Sequence, residues 1–92
     1  MTHPALGEVS QPLDFNQFCD VLAAELDFPA MTINASEDTR LVEDLAFDSV
    51  LTFELLLVVE ARAGVMLPEA LIGQLKTLGD VYDVYRKRVT QG

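Results

Sequence analysis

The pair Asp48-Ser49 stands where a polar, acidic stretch gives way to the apolar run "VLTFELLLVVE". Serine and aspartate at such a boundary cap helices, because their oxygens accept from the orphan N–H groups of the first turn. If Asp48 does the capping, the Ser49 hydroxyl is free to point outward at the positive pole of the helix. A phosphate linked to that oxygen would sit where helix starts favour anions. Capping and covalent attachment are both compatible with the pair alone. Other chemistries find fewer candidates. A Ser-His-Asp nucleophile needs a histidine, and the single one, His3, stands beside Pro4 near the start of the chain. Glycine-rich phosphate loops and paired metal-binding histidines are absent from the sequence. Glu37, Asp38, Glu43 and Asp44 suggest a calcium loop, but the alternating acid ligands and sixth-position glycine are missing, so no metal site is expected. Any pair among fifteen acids would be an arbitrary choice for acid-base work, so catalysis by the chain is not expected.

Ninety-two residues, half of them apolar, suit one small globular domain and one core. The one cysteine, Cys19, excludes an internal disulfide and falls in a helical pattern, where it reads as a packing residue. Leu55 to Val59 is the longest apolar run, too short to span a bilayer, and no signal-peptide pattern opens the chain; a cytoplasmic location is the expectation. The formal charge of -9 is unevenly spread: ten of the fifteen acids lie at or before Asp48, against the single base Arg40. Such a surface repels nucleic acid and anionic lipid and steers basic partners toward it.

The elements that must position Ser49 follow from periodicity. Residues 1–13 read as a flexible N-terminal tail and 14–90 as the domain. Asp14 with Gln17 fits a capping box, and Leu13 with Phe18 the accompanying hydrophobic staple. Phe15, Phe18, Leu22 and Leu26 make the inward stripe of a first helix that Pro29 is expected to end. A long connection to Asp48 carries Ile33, Leu41, Val42 and Leu45 as expected anchors on the core. The second helix is expected from Ser49 to Ala63, stopped by Gly64. One arc holds Phe53, Leu55, Leu56 and Val59, the expected core face. The other holds Val50, Leu51, Glu54, Leu57, Val58 and Ala61, the expected partner face, because a helix apolar all round is either wholly buried or meets another molecule. Val65 and Leu67 follow as inward anchors, Pro68 opens a short helical turn, and Thr77 with Asp80 caps the last helix. The result is an all-α fold, a small four-helix bundle: three main helices, one short one, and a long loop after the first.

"LVEDLAFDSV", then "FELLLVVEARAGVMLP", then "LKTLGDVYDVY" resemble, in order and spacing, the acyl carrier protein family, discrete type, from about Phe15 to Val89. The resemblance implies a phosphopantetheine arm from coenzyme A, esterified to Ser49 by a magnesium-dependent holo-synthase (a phosphopantetheinyl transferase). Its terminal thiol would carry an acyl group as a thioester. Asp48 would be the neighbour of the attachment serine, and Glu54 and Glu60 match acidic positions that partner enzymes read. Other implied partners are an acyl-loading enzyme, an acyltransferase or a ketosynthase, met by a monomeric shuttle. Two departures stand out. Ala46 replaces a common glycine, so the turn there is expected to avoid a left-handed conformation. Leu51 replaces a commonly acidic residue, and with Leu57 and Val58 gives a more apolar docking face. That face points to polyketide or other specialised biosynthesis. A peptidyl carrier of nonribosomal synthesis is the alternative, although that type more often shows Gly-His where this chain has Phe47-Asp48. An unmodified helical interaction domain is the other.

Overall fold

The computed structural model describes residues 13–91; of the expected tail only Leu13 lies within the described residues. Three α-helices carry the fold: α1 (Phe15–Leu26), α2 (Ser49–Ala63) and α3 (Leu78–Gln91). Two 3-10 turns, Pro29–Thr32 and Glu69–Gln74, interrupt the connections. The fold is a small all-α bundle, and the short fourth element expected after Pro68 is the second of these 3-10 turns. Among the described residues no helix is long and apolar enough to cross a membrane.

Helix α1 starts as its sequence dictates. The Asp14 carboxylate accepts from the Gln17 N–H at 2.8 Å and the Gln17 side chain accepts from the Asp14 N–H at 3.0 Å. Two tyrosines of α3 hold the residue before the cap: Tyr82 donates to the Leu13 carbonyl and the Leu13 N–H donates to the Tyr85 hydroxyl. Phe18 stacks on Tyr85 with ring centroids 4.8 Å apart, and Phe15 meets Tyr82 edge-on at 5.6 Å. The helix stops earlier than Pro29. Asp27 turns left-handed (φ 53°), and the Asp27 and Phe28 N–H groups return to the Ala24 and Ala23 carbonyls, so the backbone seals the end before the proline is reached.

The core gathers Phe18, Cys19 and Leu22 from α1, Leu55, Leu56 and Val59 from α2, and Leu78, Val81 and Tyr85 from α3. Phe53, expected on the core face, is 40% exposed; its place on the buried arc is taken by Thr52, which resolves its polarity by donating to the Asp48 carbonyl at 2.8 Å. Val65 is likewise exposed, and Leu67 alone anchors its segment. The Glu60 carboxylate accepts from the Leu67 N–H at 2.8 Å, so this acid serves the fold as well as the surface.

The long connection is pinned by different residues from those expected. Leu41 is buried and Leu45 half-buried, but Ile33 and Val42 are exposed; Met31 and Phe47 do the remaining anchoring. Phe28 and Phe47, at the two ends of the connection, pack with ring centroids 5.2 Å apart. Its middle caps α3. The Leu78 N–H donates to the Thr39 carbonyl and the Gly79 N–H to the Glu37 carbonyl, both at 2.9 Å. Thr77 and Asp80 exchange the expected capping-box bonds. A side chain at position 79 would begin 2.7 Å from the Glu37 oxygen, and glycine is what permits the approach.

Candidate functional site

The site is the turn that delivers the chain into α2. Residues 40–47 coil on themselves: Asp44 and Leu45 donate N–H groups to the Arg40 carbonyl, Ala46 to Val42, and Phe47 to Leu41. Arg40 also pairs with the Asp44 carboxylate at 3.2 Å, and this hydrogen-bonded guanidinium holds the Asp44 carboxyl below its ordinary range. Leu41 and Phe47 plunge into the core on either side of the turn, and of the residues between them only Leu45 leans against it, half-buried.

Ala46 does not avoid the left-handed region. Its φ is 59°, a conformation that costs a residue with a Cβ about 1 kcal/mol. Two backbone hydrogen bonds flanking it and the burial of Phe47 outweigh that strain. The glycine common at this position therefore marks a backbone shape that this chain adopts without one.

At the start of α2 the division of labour between Asp48 and Ser49 is plain. Asp48 is the N-cap, its carboxylate accepting from the Leu51 N–H at 2.8 Å. Ser49 is the first helical residue and is exposed, and among the described residues its hydroxyl has no hydrogen-bonding partner. Capping is complete without it. A groove of about 350 Å³ opens beside this hydroxyl, with buried Phe47 and Leu75 on its apolar side. Phe47 is the positioning residue that the sequence analysis missed. The available signal was an aromatic residue directly before an acidic cap in a polar loop.

The expected partner face separates into two tiers. Val50 is 67% exposed and Leu57 46% exposed, with Glu54 and Ala61 beside them. Leu51 and Val58 lean against the core and are only half-exposed. Phe53 joins the outer tier, and Met66, 88% exposed, extends the apolar surface past the end of the helix. Gly64 ends α2 in the left-handed conformation, as expected (φ 75°).

Among the described residues no group of three or more His, Cys, Asp or Glu side chains is arranged to hold a metal. Cys19 is buried, and burial, with a smaller contribution from Asp20, pushes its thiol up to about 11.

No protein-family profile matches the chain, and no solved structure matches it. Two curated relatives do: the acyl carrier proteins of Rickettsia canadensis (strain McKiel) and Rickettsia rickettsii (strain Iowa). Each is 35% identical over 51 residues, which cover 55% of this chain and 59% of the relative. The chain thus matches less than two thirds of the length of those relatives. Over that stretch the chain is similar to acyl carrier proteins, the family its three sequence motifs resemble.

Proposed function

We propose that the protein holds acyl intermediates as thioesters on a phosphopantetheine arm esterified to Ser49 and presents them to partner enzymes, itself catalysing nothing. One observation carries this reading: at the first residue of α2 the carboxylate of Asp48 has taken the capping role, leaving an exposed, unpartnered hydroxyl on a rigidly anchored turn. The residues suit the arm. An anion at the Ser49 oxygen lies at the positive end of a 15-residue helix, and Leu41 and Phe47 fix the backbone that presents it. The arm supplies the thiol that no accessible residue of the described chain provides. Tethering raises the local concentration of cargo at each active site the arm visits.

The experiment is intact mass after incubation with coenzyme A, magnesium and a broadly specific phosphopantetheinyl transferase. The mass rises by one arm in the natural sequence and is unchanged in Ser49→Ala. An unchanged mass in both leaves the unmodified interaction domain as the reading. An increase in both places the attachment elsewhere.

The finer reading is a partner in polyketide or other specialised biosynthesis. Val50, Leu57 and Ala61, with Glu54 as the charge among them and Leu51 and Val58 at the margin, offer a surface more apolar than acidic. Contact through it loses little affinity as salt is added, since screening acts on charges rather than on apolar burial. A steep salt dependence that disappears in Glu54→Ala contradicts this choice of partner while leaving the carrier role intact.

A further inference from the structure

We infer that Lys76 is a positioning residue for the tether, its ammonium taking an anionic oxygen group carried on the arm at Ser49. The inference rests on the carrier reading. Lys76 and Ser49 line the same groove, and the other charged residues lining it are Glu43 and Asp48. Lys76 is therefore the single cation facing a cleft that holds two carboxylates, on the half of the molecule nearest the acidic connection. Its backbone is fixed from both sides. The Lys76 N–H donates to the Asp80 carboxylate at 2.9 Å, and its carbonyl accepts from the Leu41 N–H at 2.9 Å. The side chain is exposed, and among the described residues no carboxylate lies within ion-pair distance of its ammonium. The Asp48 carboxylate is engaged through Oδ1 in the cap on Leu51. A lysine ammonium on a flexible stem is a point-charge binder of phosphate and carboxylate oxygens. An anion entering this groove meets two like charges, and Lys76 is the residue that offsets them.

Two parts of a loaded arm carry such oxygens: the phosphodiester on the Ser49 oxygen itself, and the free carboxylate of a dicarboxylic cargo folded back over the groove. Full-length protein carrying the arm, verified by intact mass, is compared as the natural sequence, Lys76→Met and Lys76→Arg. In the first comparison, phosphorus NMR of the unloaded arm reads the phosphodiester resonance at low and at raised salt. In the second, carbon NMR reads the labelled free carboxylate of a malonyl thioester, with a propionyl thioester as the uncharged control. The inference expects Lys76→Met to shift the resonance in at least one comparison and to remove its salt dependence, and Lys76→Arg to restore both. Response in the phosphorus comparison assigns the phosphodiester; response in the carbon comparison alone assigns the cargo. If neither resonance responds while the arm's mass is present and the thermal midpoint is unchanged, the inference is overturned. If the mass never rises, the carrier reading fails, and this inference fails with it.

Discussion

Helix α2 presents Thr52, Leu55, Leu56 and Val59 to the interior and Val50, Phe53, Leu57 and Ala61 to solvent. The outward set carries a phenylalanine where the inward one contains a threonine, although Glu54 and Arg62 share the exposed side of the helix. Burial here follows the direction in which α1 and α3 approach, not hydrophobicity. The inner residues meet Leu22, Leu78 and Val81 in one closed cluster; among the described residues none covers the outer ones. An apolar surface that folding does not use is available for binding.

The contrast breaks most easily through volume. Leu56→Ala should cost about 2–5 kcal/mol in urea unfolding, because a cavity opens among residues that are almost fully buried. Leu57→Ala, one position along, should fall within about 0.5 kcal/mol of the natural sequence. Comparable losses would mean that the outer face is packed in solution.

A second test asks whether the inner face depends on the connection that caps α3. Gly79→Ala pushes a methyl into the Glu37 backbone and should cost about 1–3 kcal/mol, with α3 the first element to lose amide protection. Retained protection there would show that the helix stays docked without its cap.

Titration offers a third and smaller effect. The Cys19 thiol is raised from 9.0 to about 11 by burial first and Asp20 second, so the folded protein keeps its proton where the unfolded chain has lost it. Stability is then intact below pH 9 and declines as pH climbs toward 11. Tyr82, also raised by burial, acts in the same direction at higher pH. Cys19→Ala should flatten the first part of that decline, measured as the thermal midpoint against pH. An equally steep decline in the variant would assign it to other groups.

The smallest expected change is a gain. Ala46→Gly relieves a left-handed alanine but loosens the unfolded chain, and the net should be at most about 1 kcal/mol in favour of folding. A loss would show that the Ala46 methyl makes a contact worth more than the strain.

Much of this architecture was legible in advance because it is local. The boxes Asp14–Gln17 and Thr77–Asp80 and the stop at Gly64 are set by residues within a few positions of one another, and each forms as expected. The turn into α2 was legible as a place but not as a shape. Ala46 alone argues against positive φ, and the turn's backbone hydrogen bonds together with the burial of Phe47 against Phe28 overrule it. Phe53 and Thr52 were exchanged for a related reason. They are adjacent in sequence, and in a helix apolar on every side only the neighbours in space decide which of them turns inward. The groove pairing Lys76 with Ser49 joins segments twenty-seven positions apart, beyond the reach of any periodicity.

The enclosure of Cys19 bears on the handling of reactive esters. A thioester migrates readily to any second sulfur that is ionised and within reach, and a protein that chauffeurs such esters risks stealing its own freight. Here the endogenous sulfur is walled in and stays protonated at neutral pH. On the carrier reading proposed above, Cys19 therefore offers an arm-borne thioester no competing thiolate inside the protein.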